Sequence, residues 1–362
     1  MLLRDLVATH VWARHMSQTL SSTSRYVRQE ILGQFGAEGQ DRLRQAHVGL
    51  VGAGALGSTI ADLLVRAGIG TLTLIDRDYV ELHNLQRQSL YSEPDVEAHL
   101  PKAAAAAQRL GEINRDVTVT PVIADVNSVN VESLLAGCTI LIDGTDNFET
   151  RYLINDVAVK TGRPWVYGGV LATYGMTTTI IPNETACLRC VFPEAPDAGS
   201  IPTCDTAGVL GPAVHVISAL QASEAIKLAL GHADRINRQL VSIDIWNMEM
   251  TRVPTGGPKP DCPTCGERRF DFLNRSTPNL ETSLCGHDAV QVMVSPPVRI
   301  DLEALGARLQ PIGEVLVNRF LVRFSDPATG HELTIFPDGR AIIKGVTEPA
   351  VARAVYDRYV GS

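Results

Sequence analysis

Gly52, Gly54 and Gly57 stand in the run Gly52-Ala-Gly54-Ala-Leu-Gly57, which follows the apolar stretch Val48–Val51 and leads into a helical pattern over Ser58–Ala67. Glycines so placed let backbone amides at a helix N-terminus close around phosphate. Asp76 lies about 22 residues beyond Gly54 and ends an apolar strand over Thr71–Ile75, where a carboxylate accepts hydrogen bonds from ribose hydroxyls. A dinucleotide dehydrogenase would share this much. Asn84-Leu-Gln-Arg87-Gln and Lys102 exceed the needs of one pyrophosphate, which a helix dipole and glycine amides already serve. The surplus cations point to a triphosphate under attack.

A second chemistry is written in thiols. Cys187-x-x-Cys190 and Cys262-x-x-Cys265 supply four thiolates on two tight knuckles, a donor set suited to tetrahedral zinc with no position left for water. Such a site staples the chain and does no chemistry; an iron–sulfur cluster is the alternative occupant. Cys204 belongs to neither pair. It lies in the loop-like segment Ile201–Pro212, before a helix whose first turn Pro212 marks, where a thiol is either a small loop hydrophobe or a nucleophile of lowered pKa. Cys138, ahead of a core strand, and Cys285 read as structural.

The elements that position these groups alternate. Beyond Asp76 the pattern predicts a loop to Pro94, a helix from Pro101 to Gly111, a strand Val117–Ile123, a helix near Val129–Ala136 and a strand Thr139–Asp143. Gly144-Thr-Asp146-Asn147 then precedes a helix Phe148–Thr161, stopped by Gly162. Alternating βα units imply a Rossmann-like, doubly wound, mostly parallel α/β sheet with ligands at the carboxyl ends of its strands, where Asp76, Asp143 and Asp146 all fall. Trp165–Val170 and Gly175–Ile181 are too close in sequence for a crossover and form an antiparallel extension, with a further strand at Leu240–Ile245.

Composition narrows the class. A net charge of −8 and no basic stripe argue against nucleic acid as a partner. Hydrophobic residues make up 45% and aromatics 5%, as in an alanine- and valine-rich globular protein. Paired cysteines of this spacing fit a reducing, cytoplasmic setting. The apolar stretch Val209–Leu230 carries His215, Gln221, Glu224 and Lys227, so it reads as a core helix and no membrane association is expected.

Residues 1–24 form a serine- and threonine-rich tail, expected to be frayed or to reflect an upstream start, and are poorly suited to a targeting peptide. Residues 25–270 carry the motifs above, 271–279 read as a linker, and 280–362 as a small α+β domain. That domain is expected to contain a strand Val290–Val294, a strand pair formed by Val315–Phe324 and Glu332–Phe336, a strand Arg340–Lys344, and helices Leu302–Leu309 and Pro349–Tyr359.

Together these motifs resemble the ThiF/MoeB adenylyltransferases, relatives of ubiquitin-activating enzymes, over about Arg25 to Gly266. The resemblance rests on Arg25-Tyr-Val-Arg28-Gln, the glycine run, Leu74-Ile-Asp76-Arg-Asp78, Asn84-Leu-Gln-Arg87-Gln, Pro101-Lys102, Gly144-Thr-Asp146-Asn147, Thr203-Cys204 and both cysteine pairs. It implies that ATP activates the C-terminal Gly-Gly carboxylate of a ubiquitin-like sulfur carrier, MoaD-like or ThiS-like, in molybdopterin or thiamine synthesis. Asp76 would hold the ribose, Asn84, Arg87 and Lys102 the phosphates, and Asp146 a magnesium ion, with Asp78 and Asn147 beside them. Arg28 would reach the ATP of a neighbouring subunit, which implies a homodimer. Cys204 would be free to bond the carrier, and a cysteine desulfurase or rhodanese would supply sulfur. The end of the C-terminal domain, Tyr359-Val-Gly-Ser362, is unlike a fused carrier, and the domain is short for a rhodanese; packing and carrier docking are both open to it. Ala55 replaces a glycine common in the family, and Ala98-His-Leu-Pro101 stands where many members have Gly-Gln-Pro.

The chemistry fits the residues. A carboxylate is ionised at neutral pH and needs no general base, so positioning and charge neutralisation must supply the catalysis. Two alternatives are a nicotinamide-dependent oxidoreductase and a catalytically silent zinc scaffold.

Overall fold

The computed structural model describes residues 24–36, 38–195, 204–275, 281–284, 289–294 and 298–361. The expected tail, apart from Ser24, and Cys285 lie outside them. The larger sheet has eight strands: β1 (His47–Val51), β2 (Thr71–Asp76), β3 (Thr118–Ile123), β4 (Ile140–Asp143), β5 (Trp165–Leu171), β6 (Tyr174–Ile180), β7 (Gln239–Asp244) and β8 (Glu249–Pro254). Their order is β3-β2-β1-β4-β5-β6-β7-β8. The first five run parallel, and β6 to β8 add an antiparallel extension.

Both faces of the central strands are covered, which is why β1 and β4 read as continuous apolar runs and not as alternating ones. Leu50, Leu72 and Ile142 face one way, onto Ile60 and Leu64 of the Ala55–Ala67 helix and Ile217 of the Gly211–Ala229 helix. Val51, Ile75 and Leu141 face the other, onto Leu153 and Val157 of the Phe148–Thr161 helix. Local signals set the helix ends. Gly68 closes the Ala55–Ala67 helix in the left-handed conformation, and the Asn147 side chain caps Phe148–Thr161 by accepting from Glu149 N and Thr150 N.

The Gly211–Ala229 helix is a core helix, as expected, and Pro212 sits in its first turn. Its polar residues are partnered inside: Ser218 Oγ donates to Leu56 O (3.1 Å), Gln221 Nε2 to Asp143 O (2.7 Å), and Glu224 Oε2 accepts from Thr179 Oγ1 (2.9 Å). No described helix is long and apolar enough to cross a membrane.

The second sheet has six antiparallel strands, β9 (Glu281–Leu284), β10 (Ala289–Val292), β11 (Glu314–Val317), β12 (Val322–Ser325), β13 (Glu332–Ile335) and β14 (Ala341–Lys344), in the order β11-β12-β13-β14-β10-β9. Helices Leu302–Leu309 and Pro349–Tyr359 cover one of its faces.

Several expectations shift. Residues 93–97 form a helix inside the expected loop, because Ser92 and Asp95 close a capping box around Pro94. The helix near Val129–Ala136 shrinks to Val131–Leu134, the expected strand Val315–Phe324 breaks into β11 and β12 where Asn318 Oδ1 accepts from Phe320 N and Leu321 N, and β8 and β9 carry no period that announced them. Residues 271–274, the start of the expected linker, pack instead: Phe272 N and Leu273 N both donate to the Asp156 carboxylate, and Leu273 is buried.

Candidate active site

Strand order reverses between β1 and β4, and a crevice opens outside the carboxyl ends of two such neighbours. The loops leaving these strands touch. Gly52 has φ +95°, and a Cβ there would lie 2.6 Å from Gly144 O; a Cβ on Gly57 would lie 1.8 Å from Gly52 O. Both positions therefore exclude any side chain, whereas Gly54 has open space before it, with only Gln88 Nε2 within 4 Å of such a Cβ. Ala55 already belongs to the helix and needs no glycine. Gly57→Ala should force the loop apart and cut ATP affinity by a factor of about 5–150, on the order of 1–3 kcal/mol, as read by titration calorimetry. A variant that binds ATP normally would show that the loop is not the phosphate cradle.

Around this cradle the charged residues form one network. Asp76 Oδ2 accepts from Ala53 N (2.6 Å) and Oδ1 from Asp78 N (2.7 Å). Asp78 O accepts from Lys102 N (2.8 Å), and its carboxylate from Lys102 Nζ (3.3 Å). Desolvation opposes ionisation of both carboxylates. It prevails at Asp76, whose pKa is raised against the pull of Lys102, while at Asp78 the charges of Lys102, Arg77 and Arg340 overcome it and bring the value to about 2. The Lys102 ammonium is also buried, but Asp78, Asp76 and Asp146 raise its pKa, so it stays charged.

Asn84 is buried in a turn over Leu82–Asn84, its side chain accepting from Glu81 N (3.1 Å). Arg87, half-buried, donates to His83 O (2.9 Å). Asp146 is exposed at the carboxyl end of β4, close enough to Lys102, Arg77 and Arg151 to act on their charges. Asp143 is wholly buried in an ion pair with Arg151 Nε (3.0 Å), so it supports the loop and does not face the crevice. Asn147 serves as the helix cap.

Arg28 is not brought to this site. Its short helix Val27–Glu30 sits where Gln29 Nε2 donates to Ala67 O (2.8 Å), at the far end of the 13-residue helix that starts at the glycine loop. That helix spans about 20 Å. Cys204 opens a helical turn, Cys204–Ala207, where a loop was expected.

Sequence reasoning missed Tyr91 and Gln88. The Tyr91 hydroxyl donates to Ala53 O (2.6 Å) and lies 3.3 Å from Lys102 O, so one side chain ties the glycine loop to the lysine. Gln88 Oε1 is buried without a partner beside Gly54, an acceptor suited to a ribose hydroxyl or adenine amine. The only signal for Gln88 was its adjacency to Arg87.

The four knuckle sulfurs converge: Cys187, Cys190, Cys262 and Cys265 place their Sγ atoms within 4.8 Å of one another. Three of the separations, 3.8, 3.6 and 3.3 Å, far exceed a disulfide bond and suit thiolates gathered around one metal ion. The Cys187 thiol next to it, acting against desolvation, lowers the Cys190 pKa to about 4. The surroundings are braced. Asn155 Oδ1 accepts from Leu188 N (2.9 Å), and Asp156 Oδ1 from Thr264 Oγ1 (3.1 Å) between the second pair of cysteines.

Residues 26–264 match the ThiF family. The chain belongs to the ThiF family. It is 42% identical over 341 residues to the sulfur carrier protein ThiS adenylyltransferase of Bacillus subtilis (strain 168), a match covering 94% of this chain and 100% of that one. It is 42% identical over 260 residues to the SAMP-activating enzyme E1 of Haloferax volcanii, covering 71% of this chain and 95% of that one. The crystal structure of E. coli MccB with ATP shares the fold, with a TM-score of 0.60 at 24% identity over 68% of this chain and 75% of that one. This ThiF-family chain is thus an enzyme of the adenylyltransferase class, and of the three readings of the sequence the relatives match that one.

Proposed function

We propose that this chain adenylates the C-terminal Gly-Gly carboxylate of a ubiquitin-like sulfur carrier, and that the carrier is ThiS-like, in thiamine synthesis. The observation carrying the reading is the Asp76–Asp78–Lys102 network beside the glycine cradle, in a chain whose similarity to a ThiS adenylyltransferase runs through both sheets.

The carboxylate oxygen attacks the α-phosphorus, the bond from that phosphorus to the β-phosphate bridge breaks, and pyrophosphate departs with the electron pair. An anion approaches an anion, so the main task is to hold phosphate charge among cations. Lys102 and Arg87, with Asn84, hold the phosphates; Asp76 and Gln88 hold the nucleoside. A magnesium ion held by Asp146 would screen the β- and γ-phosphate charge. Zinc in the Cys187, Cys190, Cys262 and Cys265 site would be structural. Because Arg28 lies a helix length from its own cradle, its phosphate role requires a second copy, and we place the chain as a homodimer in the cytoplasm. Cys204 would take the carrier covalently, with a cysteine desulfurase or rhodanese as sulfur donor.

ATP–pyrophosphate exchange with purified ThiS-like and MoaD-like carriers, each with and without its last glycine, tests this. Exchange is expected with the intact ThiS-like protein alone. Exchange with the MoaD-like protein alone would move the chain to molybdopterin synthesis, and silence with both would end the carrier reading.

A further inference from the structure

One face of the second sheet is covered by its own helices; the other is not solvent-facing either. Leu321, Phe336, Ile342 and Ala289 on that second face are buried against Tyr79 and Ile123, which lie just past β2 and at the end of β3. The seam thus falls on the segments that carry the phosphate-binding residues.

Polar grips flank it. Lys344 Nζ binds the Glu81 carboxylate and lies 5.4 Å from the centre of the Tyr79 ring. Arg323 Nη1 is 2.9 Å from His99 Nε2, and Asn318 Nδ2 donates to Ala98 O (3.3 Å). Gln291 Nε2 donates to Asp125 Oδ2 (2.7 Å), whose other oxygen pairs with Arg77 (2.9 Å). Arg340 is buried on the Phe336 ring at 3.7 Å, where its charge acts on Asp78.

What is gripped matters. Glu81 and Asn84 close a capping box on each other around the Leu82–Asn84 turn, so the place of Asn84, and of Arg87 three residues on, depends on Glu81. Tyr79 bridges Pro101, Val80 N donates to Leu100 O (2.9 Å) and Lys102 N to Asp78 O (2.8 Å). His99, in the turn of this small ladder, has φ +47°, a left-handed conformation uncommon for residues other than glycine, which a contact on its ring helps to hold. Arg323 does so from the second sheet.

We infer that the C-terminal sheet is a working part of the nucleotide site, with Lys344 as a positioning residue that holds Asn84 and Arg87 through Glu81, and Arg323 as its counterpart for Lys102 through His99. The roles of Asn84, Arg87 and Lys102 rest on the adenylation reading; the positioning itself does not. Lys344 also neutralises a half-buried carboxylate that would otherwise repel an incoming triphosphate.

The test uses the full chain as Lys344→Ala, Lys344→Arg and Arg323→Ala. Hydrogen exchange followed by mass spectrometry is expected to show amides of residues 78–102 opening at least tenfold faster in both alanine variants, with the rest of the large sheet unchanged. In ATP–pyrophosphate exchange the KM for ATP should rise about tenfold with kcat within about threefold, and Lys344→Arg should restore both. Wild-type protection and KM in both alanine variants would overturn the inference, as would faster exchange spread evenly over the whole chain. If the wild-type protein turns over no carrier, the adenylation reading falls by itself, and the amide measurement still decides this one.

Discussion

Asp146→Ala should abolish carrier adenylation, lowering turnover by on the order of 10³-fold, while the melting temperature and metal content remain those of the wild type. The separation is expected because of where Asp146 sits. Its neighbour Asp143 is buried and bonded to Thr145 N, Thr145 Oγ1 and Arg151, so removing that carboxylate would orphan a buried guanidinium. Asp146 is exposed, and its charge acts on Lys102, Arg77 and Arg151. Deleting an exposed side chain of this kind changes stability by no more than about 0.5 kcal/mol. Deleting the group that would hold the divalent cation over the leaving phosphates takes away stabilisation that exists chiefly in the transition state, so kcat should fall with little change in carrier affinity. Pyrophosphate exchange alongside scanning calorimetry checks this. An active variant would overturn the assignment of Asp146, and an inactive but destabilised one would make it a structural residue.

The second large effect concerns the thiol cluster. Cys262→Ser is expected to lose the bound metal and to lower the melting temperature by about 6–20 °C. Binding of structural zinc to four thiolates contributes about 10–16 kcal/mol in small domains, and that free energy is folding free energy where the site does not exist in the unfolded chain. Here only part of the fold depends on it. The cluster joins the Leu188–Val191 turn, after β6, to the segment after β8, and both lie against Asn155 and Asp156 of the Phe148–Thr161 helix. Loss of about 3–5 kcal/mol is therefore a reasonable expectation, and at about 2–4 °C per kcal/mol for a protein of this size it gives the stated shift. Metal analysis by mass spectrometry with calorimetry on the same sample tests it. A variant that keeps one metal per chain, or loses it with no change in melting temperature, would refute the stapling role.

Local signals carried much of this protein. The helix Phe148–Thr161 was legible to the residue because Asn147 can cap its start and Gly162 can take the left-handed turn that ends it. The glycine run was legible because only a residue without a side chain fits where two backbones meet, as Gly57 and Gly52 do. The cysteine pairs were legible because three-residue spacing is itself a chelate geometry. Where the signal was weak, the reading failed. The fully exposed strand β8 lacks an apolar period, and the knot at residues 271–274 is held by backbone amides on Asp156, which no side-chain pattern encodes.

By itself, then, the chain's order of residues determined the alternating architecture, the glycine run and each of the two cysteine pairs, since each depends on neighbours within about a dozen positions. Tertiary structure alone decided which carboxylate is left exposed and which is spent on Arg151, that Tyr91 ties the glycine loop to Lys102, that Arg28 lies a helix length from that loop, and that the C-terminal sheet grips residues 79–101. The contacts of that grip join residues 224 and 263 positions apart. Alternation along a strand says which side chains share a face, but the partner of that face is chosen only when both surfaces have formed and can exclude water together.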